Sequence, residues 1–204
     1  MMRKRRLNGA CVLLPLLLFL TVPVSAADNA TFKAGSFSPP RQAPDFSVRG
    51  SDGGDLKLSR YRGKVVVLAF GFTSCPEICP TTLAVLADTR KKLSVSADEV
   101  QVIFVTVDPE RDDVARMRTY LASFDPTFVG ATGTDEQLAA VRQGYGVIAE
   151  KKKSFFGGYS VAHSSFTYLI DRDGSLRALM PYGRTADDYA HDVKLLLNER
   201  SAVK

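Results

Sequence analysis

The sequence predicts an α/β domain in which a central mixed sheet is flanked by helices. Two observations predict this fold class: strand-like apolar runs alternate with helical patterns along the chain, and a β-hairpin pattern follows near the C-terminus. Strands that alternate with helices imply parallel pairing, whereas a hairpin adds an antiparallel edge. The length of 204 residues and the hydrophobic content of 45% fit a single hydrophobic core.

The first 26 residues have the order of an export signal. Basic residues at positions 3–6 precede an apolar run from Cys11 to Val24, and small residues follow that run. We expect residues 1–26 to be a cleaved signal peptide, with a retained N-terminal membrane anchor as the alternative. Export would place the protein in the periplasm or at the outer face of the inner membrane, where disulfides are permitted.

The positive charge of the chain is concentrated in that same N-terminal stretch. The formal net charge is +5, from 27 Lys and Arg against 22 Asp and Glu. Without the four basic residues at positions 3–6, the balance is 23 against 22 and the net charge is +1. The mature chain is therefore nearly neutral, and its charge gives no basis for a nucleic-acid partner.

The region before the domain is rich in proline. Residues 27–44 contain Pro39, Pro40 and Pro44 among Gly and Ser without hydrophobic periodicity, so we predict a flexible linker there. The folded domain is then expected to cover residues 45–204. It begins with a short strand at 45–48, a glycine-containing turn and a return strand at 56–58.

The middle of the chain alternates between strands and helices. A continuous apolar run from Val65 to Phe72 predicts a central strand that is covered on both faces. Apolar residues at helical spacing then predict a helix from Thr81 to Leu93. The same reasoning predicts a strand at 100–107, a helix from Asp108 to Phe124, a short strand at 128–131 and a helix from the Thr134 cap to Gly144.

The C-terminal part supplies the antiparallel edge of the sheet. Residues 150–159 are polar, basic and glycine-containing, which predicts an exposed excursion. A hairpin follows, with strands at 165–171 and 175–180, and a last helix covers 185–198. This order of strands and helices is that of a thioredoxin-like fold.

Cys75 and Cys79 lie where the first long strand gives way to a helix. The N–H groups and partial positive charge of a helix N-terminus stabilise a thiolate, so we expect lowered cysteine pKa values. A structural disulfide, a redox pair and a metal site are the three interpretations. Three intervening residues favour metal, because thiol oxidoreductases of this fold typically use two and a bridge over so short a loop stabilises little.

The chain has two histidines that could add a third ligand, His163 and His191. His163 lies directly before the hairpin strand, and in a thioredoxin-like topology that loop passes close to the cysteine turn. His191 lies inside the last helix, where we expect a surface side chain. Soft thiolates select ions such as Cu(I), and an imidazole extends the preference to Cu(II) and zinc.

Three segments of the chain resemble the Sco/SenC family, the copper proteins that assist assembly of cytochrome c oxidase. The segments are 71–80 around the cysteines, 105–112, and 161–171 around His163. The resemblance runs from about residue 46 to the C-terminus. It implies one copper ion per chain, Cu(I) or Cu(II), on two thiolates and one imidazole, which map onto Cys75, Cys79 and His163. One departure is Ala162, which stands where many family members have an acidic residue.

The resemblance also implies a function and a partner. It implies a metallochaperone that delivers copper to the binuclear copper centre of cytochrome c oxidase, acting as a monomer on the copper-receiving subunit or on another periplasmic copper chaperone. The alternative is a thiol-disulfide oxidoreductase, with Cys75 and Cys79 as the catalytic pair, that reduces the cysteines of the receiving subunit. Asp108 is interpreted as a helix start, with a place near the copper loop as the alternative that the resemblance implies. Lys151 to Lys153 are interpreted as a solvated turn, with contact to an acidic partner face as the alternative.

Overall fold

The computed structural model describes residues 31–153 and 158–199. The predicted signal peptide lies outside the described residues. No helix within the described ranges is long and apolar enough to cross a membrane. The strands are β1 (Gly35–Gln42), β2 (Ser47–Gly50), β3 (Asp55–Lys57), β4 (Val65–Gly71), β5 (Val100–Thr106), β6 (Val129–Thr132), β7 (Ala149–Lys153), β8 (Tyr159–His163), β9 (Thr167–Ile170) and β10 (Ser175–Met180). The α-helices are α1 (Ile78–Leu93), α2 (Val114–Ala122), α3 (Asp135–Tyr145) and α4 (Ala186–Asn198), and 3-10 helices cover Leu58–Tyr61 and Ser94–Glu99.

The central sheet is mixed, which confirms the predicted fold class. Its strand order is β1-β10-β9-β4-β5-β6-β2-β3, and β7 pairs with β8 in a separate two-stranded sheet. The pairs β4–β5 and β5–β6 are parallel, whereas β4–β9 and β9–β10 are antiparallel. Helix α1 packs against α4, and α2 packs against β6.

The parallel pair β4–β5 forms the centre of the core and decides where the site lies. Every residue of β4 is buried, as the continuous apolar run predicts. In the register of the pair, Val65 lies opposite Val100 and Gly71 lies opposite Thr106. The two strands therefore end side by side, and the segments that follow them meet at one edge of the sheet.

Helices α3 and α4 start where the sequence predicts. Thr134 caps α3 with a capping box to Gln137, and Thr185 caps α4 with the same arrangement to Asp188. Helix α1 begins at Ile78, three residues before the predicted start. Cys79 is consequently part of the first helical turn.

Helix α2 begins later than predicted. The sequence predicts a start at Asp108, but the helix starts at Val114. Asp113 is the N-cap, and its side chain accepts a hydrogen bond from the Arg116 N–H at 2.8 Å. The reason is that Asp108 and Asp112 are fully buried and bind groups from other parts of the fold. The segment 108–112 is therefore a loop with inward-facing carboxylates.

The described part of the predicted excursion at 150–159 is largely exposed, as expected, but residues 150–153 and 159 belong to two strands, and residues 154–157 lie outside the described residues. Strands β7 and β8 form an antiparallel ribbon in which Ala149 lies opposite His163 and Lys153 lies opposite Tyr159. The ribbon is rich in polar residues because it lies at the surface of the domain. Strand β7 is exposed from Glu150 to Lys153, and Val161 is the one buried residue of β8. A polar ribbon of this kind lacks the apolar alternation that identifies a strand in a sequence.

An ordered strand replaces part of the linker predicted at 27–44. Strand β1 pairs antiparallel with β10 at the edge of the sheet, with a register shift between Ser36 and Arg41. The two consecutive prolines lie within that shift, where no ladder donor is needed. The N–H of Ala43 donates to the carbonyl of Gly174 at 3.0 Å, which secures the end of the strand.

A buried carboxylate of α4 holds the segment before β1. Asp192 is fully buried and accepts hydrogen bonds from the backbone N–H groups of Lys33 at 2.7 Å and Ala34 at 2.8 Å. His191 is partly exposed, and its Nδ1 lies 2.9 Å from the same carboxylate. The chain is therefore attached to the domain from residue 33 onward.

Replacing Asp192 with alanine should lower the free energy of unfolding by about 2–3 kcal/mol, because two backbone donors lose a charged acceptor. Denaturant unfolding measures the loss. The control is Asp187→Ala on the same helix, an exposed carboxylate that pairs with Lys92 at 2.9 Å and should cost about 0.5 kcal/mol. Equal losses in the two variants would contradict the role given to Asp192.

Candidate metal centre

The two cysteines lie at the carboxyl end of β4, on a turn that leads into α1. The N–H of Cys75 donates to the Phe72 carbonyl at 3.2 Å, which closes the turn. Cys75 is half-buried and Cys79 is buried, and both are free thiols. The N–H of Cys79, in the first helical turn, points at the Cys75 sulfur at 3.5 Å. A backbone N–H group at the start of α1 therefore faces the Cys75 sulfur, as the position of the two cysteines in the sequence predicts.

His163 ends strand β8 and faces the cysteine turn. Its Nδ1 lies 2.8 Å from the carbonyl oxygen of Ser164, so we assign the proton to Nδ1 as donor. The other nitrogen, Nε2, then carries the lone pair and lies 3.6 Å from the Cys79 sulfur. The ring also packs edge-on against Phe72, with centroids 5.9 Å apart. Both contacts hold the lone pair toward the sulfurs.

The structure brings Cys75, Cys79 and His163 together. Their ligand atoms all lie within 4.8 Å of one another, and no other group of three such residues is found in the parts of the chain that the structure describes. Metal bonds to sulfur and imidazole nitrogen are roughly 2.0–2.3 Å long, so two ligands of one ion lie at most roughly 4.6 Å apart. The three atoms are close to the spacing that one ion requires.

Burial sets the protonation of the site. It raises the pKa of the Cys79 thiol, an effect that a backbone hydrogen bond at Phe72 opposes and the nearby Cys75 sulfur increases. The expectation that the helix start would lower the cysteine pKa values is therefore wrong for Cys79. Burial also lowers the pKa of His163, against the effect of the Ser164 carbonyl, so its imidazole is neutral at pH 7. A neutral imidazole is the form that binds metal.

Gly71 makes room for the Cys79 sulfur. A Cβ atom added at this position would lie 2.7 Å from the Cys79 Sγ and 2.6 Å from Cζ of Phe104. Both distances are shorter than those that real Cβ atoms show. Gly71 is the last residue of β4, so the close approach lies at the end of that strand. The sulfur can therefore rest against the strand end because this position has no side chain.

Asp112 holds the cysteine turn, a role that the sequence does not predict. Its buried carboxylate accepts hydrogen bonds from the Thr73 N–H at 3.0 Å, the Thr73 hydroxyl at 2.6 Å and the Thr106 hydroxyl at 2.7 Å. Arg116 of α2 reaches the same turn, with Nε 2.5 Å from the Thr73 Oγ1 and Nη2 3.1 Å from the Ser74 Oγ. The acids that follow the buried strand β5 are the available signal in the sequence, but the same pattern is typical of a helix start.

Asp108 lies outside the group of three candidate ligands. It is fully buried, accepts a hydrogen bond from the Tyr159 hydroxyl at 2.7 Å and pairs with Arg111. The guanidinium of Arg111 lies 5.5 Å from the ring centre of Phe72, beside the cysteine turn. Among the candidates for partner contact, Lys151 to Lys153, Lys151 forms an ion pair with Glu110 within the protein.

Comparisons with known proteins agree with the motifs of the sequence. A family model described as SCO1/SenC matches residues 36–198. Protein SCO2 homolog, mitochondrial, of Mus musculus is 37% identical over 153 residues, which are 74% of this chain and 60% of that protein. The matched part thus spans less than two thirds of the mouse protein.

Two solved structures extend the comparison to the fold. The structure of Bradyrhizobium japonicum ScoI with copper bound has a TM-score of 0.71 and 35% identity, and it covers 76% of this chain and 99% of that one. BsSco, described as a member of the Sco family of cytochrome c oxidase assembly proteins with a disulfide switch, has a TM-score of 0.65 and 26% identity. It covers 79% of this chain and 96% of that one.

Replacing Gly71 with alanine should force the Cys79 sulfur away from the strand end. We expect a loss of about 1–3 kcal/mol in the free energy of unfolding, as for other overpacked cores, together with weaker metal binding. Denaturant unfolding and metal titration check the two effects. Gly35→Ala is the control, because its added Cβ would meet only the Leu179 carbonyl at 3.8 Å. If both variants behaved like the natural chain, Gly71 would not have the role described.

Proposed function

Because this chain belongs to the SCO1/SenC family, we propose that it carries copper on Cys75, Cys79 and His163 and delivers the ion to the binuclear copper centre of cytochrome c oxidase. The convergence of two sulfurs and one imidazole nitrogen within 4.8 Å is the observation that supports the proposal. Two thiolates suit Cu(I), and the imidazole makes Cu(II) an equally suitable occupant.

The exposure of the three side chains suits transfer. Cys79 is buried beneath the turn, whereas Cys75 and His163 are half-buried at the surface. An incoming ligand therefore approaches the ion from the side of Cys75 and His163. Three protein ligands leave a coordination position open, so a receiving protein could bind the ion before these ligands release it.

The proposed location and partner follow from the same assignment. We propose that residues 1–26 export the chain, as a cleaved signal peptide or as a retained anchor, to the periplasmic side of the inner membrane. There it acts as a monomer on the copper-receiving oxidase subunit or on another copper chaperone. The copper-binding domain of this proposal starts at β1, earlier than residue 45, because Gly35–Gln42 belongs to the sheet.

Purified reduced protein should take up about one copper ion per chain. Replacing His163 with alanine should raise the Kd for Cu(II) by roughly 100-fold. Loss of a metal ligand weakens binding at least as much as loss of a residue that hydrogen-bonds to a ligand. Competition titration and the Cu(II)-thiolate absorption band measure the change, and circular dichroism monitors the fold. His191→Ala, the other histidine, should bind copper as the natural chain does. Unaltered Cu(II) binding by His163→Ala would refute the ligand set.

A thiol-disulfide reductase is the second candidate function, and the unequal burial of the cysteines favours it. Cys75 is half-buried and reachable, while Cys79 is buried and its pKa is raised. In this reaction the Cys75 thiolate attacks a partner disulfide and releases one partner thiol. Cys79 then attacks the mixed disulfide, which oxidises the pair and releases the second partner thiol.

If the protein is a reductase, Cys79→Ser should trap a mixed disulfide through Cys75, because the resolving thiol is missing. The Cys75→Ser variant should trap much less, since the remaining thiol is buried. Non-reducing gel electrophoresis with the oxidised copper-binding domain of an oxidase subunit detects the adduct. Absence of an adduct in both variants would exclude this function for that target.

A further inference from the structure

We infer that Tyr159 is a positioning residue for His163, and that the loop 108–112 sets the distance between the imidazole and the two thiols. This inference rests on the proposed function, since it concerns how the copper ligands are held. Tyr159 touches no ligand atom of the site. It acts through the strand that it shares with His163.

The strand that carries His163 needs an external anchor. Among the residues that the structure describes, strands β7 and β8 pair only with each other, apart from the eight-stranded sheet. A two-stranded ribbon is marginally stable by itself in water, so side-chain contacts must fix its place on the domain. At its base, the Ser164 N–H donates to the Ile148 carbonyl at 3.0 Å, and the Ile148 N–H donates to the Ser164 hydroxyl at 3.2 Å.

Tyr159 anchors the opposite end of the same strand. Alternate residues of a strand share a face, so Tyr159, Val161 and His163 lie on one side of β8, and Val161 is buried. Tyr159 is four residues from His163, which is roughly 13 Å along the strand. A displacement of the tyrosine end therefore tilts the ribbon and moves the imidazole.

The contacts of Tyr159 form a charged clamp. Its hydroxyl lies 2.7 Å from the Asp108 Oδ1 and 3.0 Å from the Glu110 Oε2. Arg111 donates to the Tyr159 carbonyl at 3.2 Å, and its guanidinium lies 4.1 Å from the ring centre. Lys151 of the neighbouring strand pairs with Glu110 and lies 5.1 Å from the same ring centre. We call these five residues the Tyr159 clamp.

The loop that holds the clamp also holds the cysteine turn. Asp108 binds Tyr159, and four residues later Asp112 binds the backbone and hydroxyl of Thr73, two residues before Cys75. Both carboxylates are fully buried, and the Asp112 N–H donates to the Asp108 carbonyl at 3.1 Å. One short loop thus fixes both halves of the candidate site.

The test removes the hydroxyl of Tyr159 and follows the imidazole. In Tyr159→Phe, Asp108 and Glu110 lose the hydroxyl group, while the contacts of Arg111 and Lys151 remain. The far end of the ribbon is then held less firmly, so His163 should shift relative to the sulfurs. We expect the Kd for Cu(II) to rise roughly 10-fold, the usual cost of losing a group behind a ligand. Binding of Cu(I), which relies on the thiolates, should change much less. The Cu(II)-thiolate absorption band should shift in position, which a loss of stability alone would not cause.

A double variant shows whether Tyr159 acts through His163. With His163→Ala already present, Tyr159→Phe should have no further effect on Cu(II) affinity. Tyr182→Phe, an exposed tyrosine outside the clamp, is the control and should bind as the natural chain does. Glu110→Gln is a second variant at an exposed residue of the clamp, and it should move the Cu(II) spectrum in the same direction by less.

The outcomes separate this inference from the proposed function. If the natural chain binds no copper, or if His163→Ala binds Cu(II) normally, both are overturned. If the ligand set behaves as proposed but Tyr159→Phe keeps the Cu(II) affinity and spectrum of the natural chain, only the inference is overturned. Additive effects of Tyr159→Phe and His163→Ala would overturn it as well, because the two residues would then act independently.

Discussion

The parallel pairing of β4 with β5 is the constraint on which the rest of the site depends. The register that places Gly71 opposite Thr106 ends both strands at one edge of the sheet, and the Val107 N–H then donates to the Gly71 carbonyl at 2.8 Å. The cysteine turn follows one strand and the loop 108–112 follows the other, so both emerge side by side. A slip in this pairing would separate the thiols from the groups that hold them.

Buried carboxylates next to the thiols explain how so short a turn is fixed. An ionised carboxylate in the interior is costly unless its oxygens are hydrogen-bonded. Asp112 meets this condition by taking three hydrogen bonds, two of them from Thr73, so its burial and the conformation of the turn depend on each other. Asp108 is buried under the same condition with Tyr159 and Arg111 as partners. The loop therefore couples the two parts of the site through groups that cannot be left unpaired.

The sequence predicts the elements that bury apolar residues and misses those that do not. Strand β4 follows from a continuous apolar run, helix α1 from apolar residues at helical spacing, and the β9–β10 hairpin from two strand patterns around a turn. The three candidate ligands follow from residue type and position. Strand β1 is an edge strand with two prolines, and β7–β8 is a polar ribbon, so neither carries a periodic signal. The raised pKa of Cys79 depends on packing against the end of β4, which no local pattern records.

Both candidate functions require Cys79 to lose its proton, because the thiolate is the form that binds metal and the form that attacks a disulfide. Its pKa is raised by burial, so at neutral pH the metal-free thiol keeps its proton, and copper must displace that proton to bind. In a reductase the same buried thiol suits the second step, because it attacks only a disulfide already formed at Cys75. A disulfide between the two cysteines would remove two of the three proposed ligands, so the oxidised pair could not hold copper in this way. Copper binding and the reductase reaction both start from the reduced pair, so a bound copper ion and a disulfide between Cys75 and Cys79 exclude each other.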